Sequence, residues 1–312
     1  MKTLLLIDAN SIIHRCFHAL PPLTARDGRP AQALYGLASV LIRLFREERP
    51  EYAAACFDRP EPTFRETEYP AYKAQRPPTP DALIAQIIEA HTLFRKFGVR
   101  TFEKAGFEAD DLIADFARKF GGSTRLTAGA AEDSSAVILT GDLDTLQLVR
   151  DGNITVRAFQ KGISETTLYD EAAVKARYGL EPKQLVDYKA FVGDASDNIK
   201  GVPGIGPKTA RELLERFGTL ESVYKHLDQL SERTRAVLAA ARDQALLSKR
   251  MVTLQNGKIA DSLHIEDLRV GFDEPSAKDY LSDLGFATLV ARLEGKNGSR
   301  KTSAGSTQGA IF

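Results

Sequence analysis

Three short apolar runs in this chain each end at, or just before, an aspartate. Leu4 to Ile7 closes on Asp8, Ala53 to Phe57 closes on Asp58, and Ala136 to Leu139 leads into Thr140-Gly141-Asp142-Leu143-Asp144. Each run is continuous and short, which reads as a strand buried on both faces of a parallel sheet. Between the first two, Ala31 to Arg49 repeats apolar residues at helical spacing (Leu34, Leu37, Leu41, Leu44, Phe45). Strands alternating with helices predict βαβ units: an α/β fold with a mostly parallel central sheet flanked by helices. In such a sheet the strand C-termini share one edge, and ligands bind in the crevice beside it. Asp8, Asp58, Asp142 and Asp144 would then converge. Any one of them alone is explained as a turn residue or helix cap. Turn chemistry does not explain why several strands end the same way.

A second set of acids sharpens the expectation. Phe107-Glu108-Ala109-Asp110-Asp111 precedes a helical pattern of Leu112, Ile113, Phe116, Ala117 and Phe120. The helix macrodipole accounts for one or two acids there. Three repel one another unless a cation joins them. Glu108 and Asp110, two apart, diverge on an ideal helix, so they share an ion only if Glu108 precedes the regular turns. Asp194 and Asp197 face one way if that stretch is helical. Asp115 points away and reads as a solvated helix acid. Nine candidates result: Asp8, Asp58, Glu108, Asp110, Asp111, Asp142, Asp144, Asp194 and Asp197. They exceed the needs of one ion and suit two. Oxygen donors with no His or Cys among them point to Mg²⁺ or Mn²⁺ rather than zinc. Two such ions can activate water and stabilise the leaving oxygen in phosphodiester cleavage.

Other stretches fit nucleic acid as the substrate. Pro60 to Pro80 interleaves Tyr69, Tyr72, Lys73 and Arg76 without an apolar period and reads as an exposed loop or marginal helix. That mixture suits gripping a single strand, and equally suits a solvated surface. Lys73 and Arg76 are placed to neutralise a phosphate during transfer. Asp81 to Phe97 reads as a helix capped by Asp81 and stopped by Gly98. Ile154 to Phe159 reads as a fourth strand, and Thr167 to Tyr178 and Pro182 to Val192 as helices. Gly201-Val202-Pro203-Gly204-Ile205-Gly206-Pro207-Lys208-Thr209-Ala210 precedes a helix from Lys208 to Phe217. Its glycines permit a tight hairpin whose amides approach a phosphate at a helix N-terminus, which positions duplex without reading bases. Further helices run to about Leu254, and an ordered segment to about Leu293. Gly121 to Ser135 reads as a mobile insertion and 294–312 as a disordered tail.

The totals constrain little further. Lys+Arg and Asp+Glu are both 42 in 312 residues, so nucleic-acid binding must come from local patches. Cys16 and Cys56 are not in metal-like or redox spacing and read as buried free thiols of a reducing compartment. The first apolar run stops too soon for a signal peptide, and no run reaches membrane-spanning length. A cytoplasmic monomer is expected.

These motifs together resemble the 5′-nuclease family: the N-terminal domain of bacterial DNA polymerase I, phage 5′-exonucleases and, more distantly, flap endonucleases. The similarity runs from about Lys2 to about Leu293. It is carried by Leu-Ile-Asp-Ala-Asn, Cys-Phe-Asp, Tyr-Lys-Ala-Gln-Arg, Gly-Phe-Glu-Ala-Asp-Asp, Thr-Gly-Asp-Leu-Asp, Gly-Asp-Ala-Ser-Asp-Asn and the glycine hairpin. The resemblance implies a PIN-like nuclease core over 1–185 with an arch at about 60–90. It implies a helix-hairpin-helix region over 186–260, with 261–293 packing back on the core. One metal would be held by Asp8, Asp58, Glu108 and Asp110, with Asp111 adjacent through water. The second would be held by Asp142, Asp144, Asp194 and Asp197. Arg15, Lys73 and Arg76 match basic residues near the scissile phosphate, and Tyr72 matches a position in the arch that a 5′ strand threads. Gly201, Gly204, Gly206, Lys208 and Thr209 fall in the DNA-binding hairpin, which in the family often carries K⁺. The implied activity is structure-specific 5′-3′ cleavage of branched or flapped DNA and RNA primers in replication and repair. No polymerase domain follows, which suggests a stand-alone nuclease or a fragment. The tail ends Gln308-Gly309-Ala310-Ile311-Phe312, in which Gln308, Ile311 and Phe312 resemble a sliding-clamp-binding peptide. A non-catalytic DNA-junction binder and a metal-dependent ribonuclease are the rival expectations.

Overall fold

The computed structural model describes residues 2–122 and 134–295. The apolar runs form the centre of a six-stranded sheet. Its strands are β1 (Lys2–Asp8), β2 (Tyr52–Cys56), β3 (Arg100–Phe102), β4 (Ser134–Thr140), β5 (Ile154–Phe159) and β6 (Thr166–Tyr169). Their spatial order is β3-β2-β1-β4-β5-β6. β1 to β5 are parallel, and β6 pairs antiparallel with β5. The chain builds outward from β1 through β2 to β3 on one side, and from β4 to β5 on the other. The strand order therefore reverses between β1 and β4, and the crevice of a doubly wound sheet opens at such a point.

The helices are α1 (Ala9–Ala19), α2 (Gln32–Glu47), α3 (Phe64–Glu68), α4 (Asp81–Lys96), α5 (Ala109–Phe120), α6 (Glu171–Tyr178), α7 (Leu185–Val192), α8 (Pro207–Phe217), α9 (Leu220–Lys225), α10 (Glu232–Ala240), α11 (Arg242–Val252), α12 (Glu274–Asp283) and α13 (Ala287–Leu293). Successive β1 side chains point to opposite faces. Leu5 and Ile7 join a core with α1, α2, α4, α12 and α13, whereas Leu4 and Leu6 join one with α5 and the turns near Ala260 and Leu268. A third core, around Phe191, Val202, Ile205, Leu213 and Leu214, holds the hairpin region. Tyr178 packs against both the second and third cores, so the hairpin region hangs from the α5 side of the sheet.

Local structure differs from expectation in a few places. Thr166–Tyr169 is a strand, and the helix begins only at Glu171, where Asp170 Oδ1 accepts the Ala173 amide at 2.7 Å. The β-branched and aromatic residues there pair with β5. α1 follows β1 without a break, and β3 is three residues long just after α4, so periodicity reveals neither. Asp81 starts α4, but its side chain does not cap it; Pro80 is the cap residue. The Pro60–Pro80 stretch contains α3, whose Arg65 is only 2 % exposed. Most of the 121–135 insertion lies outside the described residues. No described helix is long and apolar enough to cross a membrane.

Candidate metal centre

Each acid reaches the crevice by a different local device. Asp8 ends β1 and caps α1, its Oδ1 accepting the Ser11 amide at 3.1 Å. Thr140 Oγ1, at the end of β4, donates to Asp8 Oδ2 at 2.6 Å and accepts the Asp142 amide at 2.9 Å. One buried hydroxyl thus fixes two strand ends. Asn10 Oδ1 accepts the Asp58 amide at 3.2 Å, and Asp58 Oδ1 accepts the Ala109 amide at 2.7 Å. Glu108 is the N-cap of α5 with φ −91° and ψ 162°, so it does precede the regular turns. Asp194 and Asp197 lie on and beside the short antiparallel pair β7 (Gly193–Asp194) and β8 (Ile199–Lys200), in a turn rather than a helix.

Asp8, Asp58, Glu108, Asp110 and Asp142 line one open cleft of about 580 Å³, together with Arg15, Lys73 and Arg76. Beside it lies a chamber of about 20 Å³ bounded by Glu108, Asp110, Asp142, Asp144 and Asp197. That volume admits a single ion or water. Asp144, Asp194 and Asp197 bring one oxygen each to within 4.8 Å of one another. Asp142 borders the cleft and the chamber alike.

The electrostatics are unfavourable unless a cation is present. Asp110 Oδ1 is buried without a hydrogen-bond partner. Burial drives its carboxyl well above the usual range, reinforced by Asp8, Asp142, Asp144 and Asp58. Burial likewise pushes Asp8 up to about 7, with Asp58 and Asp142 adding to it. Asp144 rises to about 6 through burial and the Asp142 charge, although Lys189 opposes the rise. Asp58 opens to solvent at the rim, yet the protein crowding its carboxyl raises it as well. Asp194 goes the other way: Lys189 and Ser196 outweigh its burial and lower it. A buried carboxylate oxygen left unpaired among other acids is costly, and hard divalent ions bind through such oxygens. The donor set therefore fits Mg²⁺ or Mn²⁺.

Three cationic side chains, Arg15, Lys73 and Arg76, line the cleft. Lys73 Nζ donates to Glu108 Oε1 at 2.6 Å, and Arg76 Nη2 donates to Asp197 Oδ1 at 2.6 Å. Arg15 reaches across the cleft to the carbonyls of Gly162 and Phe159 at 3.2 and 3.4 Å.

Three sequence expectations need correction. Asp111 is fully buried and lies away from the cleft; Arg65 Nη1 and Nη2 grip its two oxygens at 2.7 and 2.8 Å. It is half of an internal ion pair. Asp115 is also buried rather than solvated, and accepts the Ala260 amide at 3.0 Å. Tyr72, 4 % exposed, offers no open ring to a threading strand. Its hydroxyl lies 2.9 Å from Glu108 Oε2 and 3.1 Å from Asp197 Oδ2, between the two acid groups.

Sequence reading also missed participants. Lys189 Nζ bridges Asp144 and Asp194. His14 and His18, one turn apart on α1, line the cleft with Arg15. Arg65 carries no sequence signal beyond its place beside the aromatic Phe64.

The glycine-rich segment is a tight hairpin between α7 and α8. Gly201 crosses Gly193 so closely that a Cβ on it would lie 2.4 Å from the Phe191 carbonyl oxygen. Gly204 has φ +86°. Val202 and Ile205 are buried anchors, while Gly204, Gly206 and Lys208 are exposed at the start of α8 and Thr209 is partly so. Gln308, Ile311 and Phe312 lie outside the described residues.

Two family models together span most of the chain. The first, the N-terminal resolvase-like domain of 5′-3′ exonuclease, matches residues 3–179, and the second, the C-terminal SAM fold of 5′-3′ exonuclease, matches residues 180–274. The chain belongs to the 5′-3′ exonuclease family. Relatives agree. A 5′-3′ exonuclease of Aquifex aeolicus is 34% identical over 295 residues, which cover 94% of this chain and 96% of that protein. A DNA polymerase I of Caldicellulosiruptor bescii is 38% identical over 296 residues, covering 93% of this chain but 33% of the polymerase. The chain thus spans about a third of the length of the polymerase relatives it matches. Among solved structures, a T5 flap endonuclease in a pseudo-enzyme–product complex with DNA and metal ions superposes with a TM-score of 0.61 at 20% identity, covering 95% of this chain and 98% of that one. The catalytic core of Rad2 in complex with DNA substrate gives 0.58 at 15% identity, over 94% and 91% of the two chains. At such identities the superpositions speak for the fold: a mostly parallel α/β core with a helical C-terminal region.

Proposed function

We propose that this chain is a Mg²⁺-dependent, structure-specific 5′ nuclease acting on flapped DNA and RNA primers in replication and repair. The observation that carries this is the orphaned, buried Asp110 Oδ1 inside a ring of other carboxylates at the sheet's switch point. Asp8, Asp58, Glu108 and Asp110 would hold one ion and Asp144, Asp194 and Asp197 a second, with Asp142 between them. Bound divalent ions supply an activated water and charge stabilisation at the phosphate. The chain's own cations do the rest. Lys73 and Arg76, already at the acids, neutralise the scissile phosphate as negative charge develops on it. Arg15 holds the opposite wall. Tyr72, between Glu108 and Asp197, keeps the two acid groups in register. The hairpin from Gly201 to Thr209 grips the duplex backbone through amides and Lys208, without base preference. K⁺ at that hairpin and clamp binding by the tail belong to the same proposal.

Cleavage of a 5′-flap DNA with and without Mg²⁺ tests this reading. Cutting that needs the ion, leaving 5′-phosphate and 3′-hydroxyl ends, is expected, and Asp142→Asn should lose it while still binding the flap. Flap binding by the wild-type chain with no cutting in Mg²⁺ or Mn²⁺ would favour a non-catalytic junction binder instead.

A further inference from the structure

A pocket of about 600 Å³ lies behind the acid chamber and shares no lining residue with it. The two cavities stand back to back. Phe64 lines the pocket and Arg65 the chamber; Phe107 and Glu108 divide in the same way, as do Arg250 and Met251. Consecutive Cα atoms are about 3.8 Å apart, so a single layer of backbone separates the pocket from the acids.

The lining suits a flat, uncharged ligand with polar edges. Phe64 and Phe107 are half-buried, with ring centroids 6.4 Å apart and planes inclined at 55°. Both rings are held in place. The Phe64 amide donates to the Gly106 carbonyl at 3.1 Å. The Arg65 guanidinium lies 4.6 Å from the centre of the Phe64 ring, and Lys104 Nζ 4.9 Å from that of Phe107. Beside the rings, Gln255 and Asn256 bring two amides with spare capacity. Asn256 Oδ1 accepts the Lys258 amide at 2.8 Å, and Gln255 Nε2 donates to the Thr253 carbonyl at 3.3 Å. Asn256 Nδ2 and Gln255 Oε1 have no partner among the described residues. The charged residues lining the pocket are Glu68 and Arg250, which pair with each other at 2.5 Å and cancel. An anionic backbone therefore gains nothing here, and an aliphatic chain would leave the amides idle. A nucleobase uses both features, its face against the rings and its edge against the amides. The volume is that of a small-molecule site.

We infer that this pocket takes a single unstacked nucleobase, with the attached phosphate left in solvent. This rests on the proposed function and adds to it a grip on single strand, which the duplex-holding hairpin does not supply. The same base chemistry can arrive on the 5′ strand or as a released nucleoside 5′-monophosphate, and two experimental arms separate these sources.

In the first arm, the full-length protein binds 5′-flap DNAs in Ca²⁺, each carrying one abasic site stepped along the single strand. Wild type is compared with Phe64→Leu, Phe107→Leu and Asn256→Ala. One abasic position should weaken wild-type binding about fivefold to a hundredfold, the range expected for loss of one stacked base. At that position the variants should lose little more, because the contact is already gone. Asn256 is exposed, so Asn256→Ala removes an edge contact without disturbing the core. In the second arm, equilibrium dialysis measures dAMP binding. Uptake that Phe107→Leu removes, with no abasic effect in the first arm, assigns the pocket to the free nucleotide. Additive losses, or no loss at any abasic position, overturn the inference unless dAMP binds in a way that Phe107→Leu removes. Failure of the underlying function looks different: the wild-type protein would not cut the intact flap in Mg²⁺.

Discussion

Removing Arg65 should damage the protein more than any surface charge would. Its guanidinium uses all its donor nitrogens on buried or half-buried acceptors: Nε to the Met251 carbonyl at 2.8 Å, Nη1 to Glu108 and Asp111 at 3.0 and 2.7 Å, and Nη2 to Asp111 and the Thr253 carbonyl at 2.8 and 3.2 Å. One side chain thereby ties α3 to the start of α5 and to the end of α11. Arg65→Met leaves Asp111, fully buried, with only the Gln255 and Glu108 amides as donors, at 2.7 and 3.2 Å. Breaking a buried pair from one side costs about 3–5 kcal/mol. Replacing both partners by apolar residues costs much less, because no charge is stranded. The assay is urea unfolding of wild type, Arg65→Met, Asp111→Leu and the double variant, treated as a double-mutant cycle. Each single variant should lose about 3 kcal/mol or more, and the double variant less than the sum. A loss under about 1 kcal/mol for Arg65→Met, or strict additivity, would refute the buried-pair account.

Asp110→Asn should abolish Mg²⁺-dependent cleavage and yet raise the melting temperature in EDTA above the pH at which the unfolded carboxyl ionises, since it removes a group that is costly to ionise inside the acid cluster; a lower melting temperature would count against that electrostatic reading. The metal-free protein should become less stable as pH rises. Burial holds Asp8 and Asp144 at about 7 and about 6 in the fold, and raises Asp110 too, so the fold binds more protons than the unfolded chain above pH 4. The stability contributed by these groups is present below pH 4 and is lost as pH passes through 6 to 7. Saturating Mg²⁺ should flatten that decline and add about 2.7 kcal/mol at a hundred times its Kd, both measurable by thermal melts. Gly201→Ala places a methyl group 2.4 Å from the Phe191 carbonyl oxygen, so it should destabilise by about 1–3 kcal/mol and weaken duplex binding. Unaltered duplex affinity in a folded Gly201→Ala protein would separate the hairpin from DNA binding.

The sequence by itself determined the sheet's centre and its acids. Unbroken apolar runs such as Leu4 to Ile7 can only be satisfied by burial on both faces, and parallel strands buried in that way end on a common edge. The convergence of Asp8, Asp58 and Asp142 therefore follows from the sequence, as does the hairpin, because Gly201 and Gly204 answer local backbone needs that few other residues meet. Glu108 could be paired with Asp110 only conditionally, and the extended N-cap conformation met the condition. Tertiary structure decided what each remaining charge does. Asp110 and Asp111 are adjacent on one helix start, yet one is left with an unpaired oxygen among other acids and the other is locked to Arg65. Lys189 and Tyr72 likewise acquired their partners from segments far along the chain. Periodicity records which face of a helix is apolar. Which of two neighbouring carboxylates meets a cation depends on the rotation of that helix against strands and loops it never touches in sequence.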